Sequence, residues 1–303
     1  MCNLAFIIGS ARSGTTILGE LLDCHPDIMQ WYEPYYLWRK YFLCKDSEVW
    51  KPNELNEKVK RIVQEEHKIF QKKSGKKVVV EKMPSHSFNI ELILRVFPKA
   101  KWIHIIRDGR DITLSMKKEW NKRKEIIENK DYFRSFRAGL NVIKRAPFLR
   151  YKLKLMFYEL NSNLSLKPSR YLNKAKWKGQ IGWGARFNEW EKFIEKLTPL
   201  QFNAMQWVET VRAAHDGWPM IDNDKKLEVN YENLMQDPQH TLTTILNFIG
   251  LDYKTDFYQR TPKLKKNNFN KWKTELAEEE IKQIKPILSP MLEKLGYTQQ
   301  QPW

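Results

Sequence analysis

Apolar residues fall in short runs separated by polar, turn-forming stretches, and the period of the pattern switches along the chain. Residues 4–8 are continuously apolar, which suits a strand buried on both faces, and Ile17, Leu18, Leu21 and Leu22 then recur at helical spacing. Further strands are predicted at residues 27–31, 78–80, 102–106 and 227–229. Helices are predicted over about 53–73, closed by Ser74 and Gly75, over 90–97, stopped by Pro98, and from Ile112 onward. Another is expected over about 186–212, where Phe187, Trp190, Phe193 and Trp207 read as core. Asp237 as N-cap, Pro238 in the first position and Gly250 at the end bound one more, and a terminal helix over 276–295 is expected to be interrupted at Pro286 and Pro290. Strands alternating with helices predict an α/β fold with a central parallel sheet of right-handed crossovers flanked by helices. Ligands of such sheets bind beyond the carboxyl ends of the strands. Each strand candidate ends in charged or hydroxyl residues: Arg12 and Ser13, Glu33, Glu81 and Lys82, Arg107 and Asp108, Tyr231 and Glu232. These clusters are expected to converge on one cleft.

Composition narrows the picture further. No Pro/Gly/Ser-rich linker divides the 303 residues, so one domain is expected over 1–303. Cys2, Cys24 and Cys44 are odd in number and lack zinc or redox spacing, which suits free thiols in a reducing compartment. With no run of about 18 apolar residues and a first strand beginning at Leu4, neither an anchor nor a signal peptide is expected, and the expected location is cytoplasmic. The net charge of +17 is concentrated: residues 121–186 carry 17 Lys/Arg against 4 Asp/Glu. A basic, mainly helical insert is therefore expected at about 120–186, on the acceptor side, with Pro147 excluding one continuous helix. Its mixture of basic and bulky apolar residues over 142–155 suits an acidic glycan or anionic lipid, and with it peripheral membrane contact. A solvated basic face folded onto the core is the equal alternative. Trp177 and Trp183, among Gly179, Gly182 and Gly184, could offer aromatic platforms. No specific nucleic acid partner is expected.

The chemistry is concentrated in two motifs. GSARSGTT at residues 9–16 follows the first strand and opens a helix, so its backbone amides sit at a helix N-terminus and favour an anion. Gly9 and Gly14 are five apart as in a P-loop, but Thr15 stands where the P-loop lysine would be, and Arg12 supplies the charge instead. Arg107, Asp108, Gly109, Arg110 and Asp111 open a later helix, with Ser115 further along it; a guanidinium fork, N-terminal amides and a hydroxyl make a second phosphate site. Two anion sites imply a doubly phosphorylated nucleotide.

On these residues the chain resembles the sulfotransferases that use 3′-phosphoadenosine 5′-phosphosulfate (PAPS), and most of all the tyrosylprotein sulfotransferase branch and its bacterial relatives. The resemblance takes in residues 9–16 with 22–26, residues 105–111 with Ser115, Glu33, residues 81–84, residues 229–234 with Asp237 and Pro238, Lys271 with Trp272, and residues 295–297. It implies a P-loop-like three-layer fold, PAPS as donor and 3′-phosphoadenosine 5′-phosphate (PAP) as product. Arg12 and Lys82 would hold the sulfonate and the bridging oxygen, and Ser13, Gly14, Thr15 and Thr16 the 5′-phosphate. Arg107 and Ser115 would hold the 3′-phosphate, Tyr231 and Lys271 would close around it, and Trp272 would stack or pack. Glu33, 21 residues after Arg12, matches the catalytic base of that branch. His86 is the rival, because the small-molecule branch carries a base histidine in that vicinity, although that branch has lysine where Arg12 stands. His25 is expected to pack. A sulfuryl group carries less charge than a phosphoryl, so side-chain cations can replace magnesium; no metal-ligand cluster is legible and no metal is expected. The acceptor would be a hydroxyl or amine, on a glycan, glycolipid, peptide tyrosine or small metabolite. Two rivals stand beside this function. A P-loop kinase is opposed by Thr15 and Arg107, and a non-catalytic polyanion binder leaves the two phosphate motifs, separate from the basic insert, unexplained.

Overall fold

A computed structural model describes residues 3–39, 47–129, 148–149, 151–154, 182–253, 255–264 and 268–303. Among the described residues five strands are present: β1 (Asn3–Ile8), β2 (Ile28–Tyr32), β3 (Val78–Lys82), β4 (Lys101–Ile106) and β5 (Lys226–Asn230). All pair in parallel, in the order β2-β3-β1-β4-β5. Helices of seven or more residues are α1 (Thr15–Asp23), α2 (Glu57–Ser74), α3 (Ile90–Val96), α4 (Gly109–Glu128), α5 (Pro199–Gly217), α6 (Pro238–Ile249) and α7 (Glu278–Lys294).

The central strands β1, β3 and β4 are buried on both faces, as their continuous apolar runs require. Phe6, Ile8, Val79, Trp31 and Trp102 pack beneath Val63 and Phe70 of α2 and Leu92 and Ile93 of α3. Ala5, Ile7, Val80, Ile103 and Ile105 face the other way, against Leu18, Leu21 and Leu22 of α1 and Leu242, Ile245 and Leu246 of α6. The result is a three-layer α/β sandwich, with a further cluster where α4, α5 and α7 meet around Trp207.

The strand order places the switch point at β1, whose neighbours β3 and β4 follow it in sequence on opposite sides. A crevice is expected at the carboxyl ends there, and the residues following β1, β3 and β4 surround it.

Two helix predictions need correction. The stretch expected as one helix over 186–212 breaks into a short helix Trp190–Ile194 and α5. Thr198 starts α5 with a capping box: its hydroxyl accepts from the Gln201 amide at 3.3 Å while its own amide donates to Gln201 Oε1 at 3.1 Å, with Pro199 in the first turn. Conversely, α7 runs unbroken through Pro286 and Pro290. Both prolines face solvent, where water can take the carbonyls they free, while Ile284, Leu288, Met291 and Leu292 hold the opposite side in the core.

Most of the basic insert, including Pro147 and Trp177, lies outside the described residues. Its described part docks on the sheet layer: Tyr151 is buried against Trp31 and Phe70, and Lys154 pairs with Glu66 at 2.7 Å. Leu149 and Leu153 are exposed. Trp183 instead packs inward, its carbonyl accepting from the Trp120 and Gln206 side chains. Among the described residues no helix is long and apolar enough to cross a membrane.

Candidate active site

The loop after β1 leads into α1 with no cap. Gly14 occupies the N-cap position in a left-handed conformation, no side chain caps the helix, and its first turn holds no acidic residue. Its amino-terminal amides are therefore free for an anion. Two close approaches require the glycines: a Cβ on Gly9 would stand 2.5 Å from the Ile105 carbonyl oxygen, and one on Gly14 would stand 2.4 Å from the Tyr231 ring. Ser13 is buried within the loop, and its hydroxyl lacks a hydrogen-bond partner.

Arg12 takes a left-handed φ of 71°, unusual for a side-chain-bearing residue, and its Nε donates to Ser115 Oγ at 3.0 Å. The two phosphate motifs are thereby joined side chain to side chain. Arg107 reinforces the join. From the end of β4 it donates to the Arg12 carbonyl at 3.2 Å and to the Asn268 carbonyl at 2.9 Å, its face lies 4.2 Å over the Tyr231 ring, and its Nε has no partner. A nearly buried guanidinium with one N–H unspent, beside an unpartnered buried hydroxyl and a bare helix N-terminus, fits a phosphorylated ligand.

Tyr231 is buried beneath Arg107 rather than aimed at the crevice, and its hydroxyl accepts from Asn268 Nδ2 at 2.9 Å. Lys271 precedes the short helix Trp272–Glu275. Trp272 is buried, its ring face taken by the Arg110 guanidinium at 4.1 Å, so of the two roles weighed for it the packing one describes its surroundings.

The second motif differs from its sequence reading in one respect. One N-terminal amide of α4 is already engaged: Asp108 accepts from the Arg110 amide at 2.8 Å and forks onto the Arg110 guanidinium, while its own amide donates to Glu232. Asp111, part of the second motif but given no role of its own from the sequence, accepts from the Asn270 amide at 2.7 Å and the Trp272 amide at 3.0 Å and sits 3.6 Å from Arg107. Burial pushes its carboxyl above the usual carboxylate range against the pull of Arg107. It holds the strap carrying Asn268 against Arg107. Asn268 was also missed, since a lone loop asparagine carries no periodic or motif signal.

At the ends of β2 and β3 stand Glu33 and Lys82. Register places Lys82 beside Tyr32 and Ile7, level with the start of the loop after β1. Lys82 is buried, its Nζ lies 4.1 Å over the Tyr32 ring, and it forms a short ion pair with Glu33. Glu33 has a left-handed φ of 41° just before Pro34, and its side chain retains 22% exposure. Four non-glycine residues have positive φ among those described, and Arg12 and Glu33 are two of them. Strain of this kind persists only where surrounding contacts enforce it and concentrates at functional sites.

Glu81, expected in the same cleft, lies elsewhere. Neighbouring residues of a strand point to opposite faces, so Lys82 faces the loop side and Glu81 the α2 layer. Its carboxylate accepts from Trp38 Nε1 at 2.7 Å, His67 Nε2 at 2.6 Å and His86 Nε2 at 2.7 Å. Burial would raise its pKa, but His67 and then His86 outweigh that and hold it at about 2. His86 is wholly buried, with burial lowering its pKa despite Glu81, and its Nδ1 has no partner. His25 is buried at the end of α1, bonded to the Asp252 carbonyl and the Asp27 amide. Cys24 is a free thiol; Cys2 and Cys44 lie outside the described residues.

Comparison with known proteins decides the family. The Sulfotransferase family profile matches residues 5–146 and 181–255, well over half of the chain. The chain belongs to the sulfotransferase family. Solved structures of similar fold include the sulfotransferase domain of the curacin biosynthetic pathway (TM-score 0.58, 12% identity, 98% of each chain covered). Another is a sulfotransferase from Alicyclobacillus acidocaldarius (TM-score 0.51, 14% identity, 98% of this chain and 95% of that one). A curated relative, omega-hydroxy-beta-dihydromenaquinone-9 sulfotransferase Stf3 of Mycobacterium bovis, is 58% identical over 33 residues, which is 11% of this chain and 8% of the relative. In this sulfotransferase-family chain the loop after β1 and the end of β4 together form the candidate donor site.

Proposed function

We propose that this chain transfers a sulfonate group from PAPS to a hydroxyl or amine acceptor by in-line displacement, with Glu33 as general base. The observation that supports the proposal is the joining of the uncapped α1 amino terminus to Arg107, with its unspent Nε, through the Arg107–Arg12 and Arg12–Ser115 bonds, with the Lys82–Glu33 pair at adjacent strand ends.

The α1 amides with Ser13, Gly14, Thr15 and Thr16 would hold the 5′-phosphate. Arg107 and Ser115 would hold the 3′-phosphate, with Lys271 closing over it. Tyr231, Asp111 and Asn268 position Arg107 from behind. In the transfer, Glu33 takes the acceptor proton and the freed oxygen or nitrogen bonds to sulfur. The sulfur–oxygen bond to the 5′-phosphate breaks, and that phosphate leaves within PAP. Arg12 and Lys82 stabilise the charge growing on the sulfonate and bridging oxygens, Lys82 exchanging Glu33 for the donor. This division of labour uses side-chain cations throughout and assigns no role to a metal. Glu33 is favoured over His86 because its side chain reaches solvent, whereas His86 is enclosed behind the sheet and bound to Glu81.

For the acceptor, a lipid or glycolipid alcohol is the first class to screen. Exposed Leu149 and Leu153 lie four residues apart beside Lys152 in the basic insert, in the manner of a surface meeting an anionic lipid. The curated relative sharing 33 residues is named for a hydroxylated menaquinone.

Thermal-shift titration tests the donor: PAP is expected to raise the Tm, and ATP with magnesium to leave it unchanged. The reverse result would transfer the chain to the kinase reading. Glu33→Gln is expected to lower turnover by about 10²–10⁴-fold while PAP affinity holds; near-normal turnover would move the base elsewhere.

A further inference from the structure

Away from the crevice, at the outer edge of the sheet, three potential metal ligands come together that are scattered in the sequence. His104 of β4 and Glu228 of β5 are direct cross-strand partners, so their side chains share a face. His215 descends onto that face from the last turn of α5. Glu228 Oε1 lies 3.3 Å from His104 Nδ1 and 3.3 Å from His215 Nε2, and the three ligand atoms all lie within 4.8 Å of one another.

Those distances can be compared with a coordination sphere. Zinc binds imidazole nitrogen and carboxylate oxygen at about 2.0–2.2 Å, so neighbouring ligands of a tetrahedral site stand roughly 3.3–3.5 Å apart. Both contacts to Glu228 match that edge. His104 Nδ1 is within hydrogen-bonding distance of Glu228 Oε1, while His215 Nε2 approaches the same oxygen at 3.3 Å outside hydrogen-bond geometry. Glu228 is not neutralised by the lysine beside it: Lys226 Nζ donates to the Trp218 carbonyl at 3.0 Å. His104 is fully buried, His215 is 17% exposed and Glu228 40% exposed, so the cluster has a dry floor and an open side where water can complete the sphere.

We propose that His104 Nδ1, His215 Nε2 and Glu228 Oε1 bind a divalent transition ion of the zinc class, with water as fourth ligand. The ion ties edge strand β5 to β4 and to the carboxyl end of α5. Two imidazoles and one carboxylate suit zinc in ligand type and number, whereas magnesium and calcium call for oxygen donors. Its role is structural, since the ligands belong to the sheet edge and none of them is part of the donor site.

The test uses full-length, tag-free protein stripped with a chelator and titrated with zinc chloride alone, with metal content read by mass spectrometry after gel filtration. One zinc per chain is expected, and at a hundredfold excess over Kd a Tm rise of about 5 °C, with no rise from magnesium. Cobalt(II) in place of zinc is expected to give the intense visible bands of a tetrahedral site. His215→Ala and Glu228→Gln, both at accessible positions, are expected to abolish stoichiometric binding and the zinc-induced Tm rise while leaving the response to PAP unchanged. Zinc content well below one per chain in the wild type, equal zinc binding by both variants, or a weak octahedral cobalt spectrum would each overturn the proposal. The wild-type titration and the cobalt spectrum decide it even where a variant fails to fold.

Discussion

Single residues here are held in conformations that their own chemistry disfavours, and the neighbours that enforce them can be named. Arg12 and Glu33 take left-handed backbone angles, Glu33 before a proline that itself disfavours a helical approach. Gly14 combines a φ of 100° with contact against the Tyr231 ring. Gly14→Ala is therefore expected to cost about 1–3 kcal/mol and to displace Tyr231 from under Arg107. Urea denaturation would show the loss of stability, and PAP titration a loss of ligand-induced stabilisation beyond it. Undiminished PAP binding in that variant would separate the loop from the donor site. Legibility at this scale was uneven. Arg12 stood out as the charge in the glycine loop, and Glu33, Lys82 and Arg107 because charge appears at the ends of strand candidates. Asn268 and Asp111 act by orienting a neighbour across more than a hundred positions, and no spacing rule reports that.

At the scale of elements, the period of the apolar pattern found the five strands of the described residues and their longer helices but not the short ones such as Tyr35–Arg39 and Tyr231–Gln236, since buried parallel strands leave clear apolar runs. The errors came from local signals overridden or overlooked. Thr198 and Pro199 form a helix start inside a stretch whose aromatic spacing suggested continuity. Pro286 and Pro290 were read as breaks, yet α7 passes through both because its buried face is anchored on the core while the prolines point to water. Those prolines still forfeit hydrogen bonds. Pro286→Ala and Pro290→Ala are each expected to raise stability by about 1–2 kcal/mol, less than the roughly 3 kcal/mol helix-interior cost of proline because proline also stiffens the unfolded chain. Chemical denaturation would show a higher midpoint at unchanged slope.

For the whole molecule, buried Glu81 and His86 make stability depend on pH. In the folded chain His86 has its pKa lowered below 6.5, chiefly by burial, so the unfolded chain binds the proton more readily as the pH falls. Its contribution is intact above about pH 6.5 and is lost as the pH drops through the folded value. Glu81, held at about 2 against an ordinary 4.5, acts in the same direction lower down. Its share is present above 4.5 and disappears between 4.5 and 2. The Tm is expected to fall on acidification from pH 7 to 4. His86→Asn, which keeps a donor for Glu81 but cannot titrate, is expected to flatten the upper part of that fall. An unchanged profile in the variant would assign the acid sensitivity to other groups.

The sequence by itself determined the α/β class, the glycine loop after β1, the arginine after β4 and the family resemblance, because each is written in contiguous residues whose spacing follows strand or helix geometry. Tertiary structure alone decided which of two adjacent charges pairs with Glu33 and which with the buried histidines. A strand sends Lys82 to one face and Glu81 to the other, and only the packed layers say which face meets the loop. It also decided that Asp108 caps its own helix, that Tyr231 supports Arg107 from below, and that His104, His215 and Glu228 meet at the sheet edge. These are long-range juxtapositions set by strand order and helix docking, which a linear pattern does not encode.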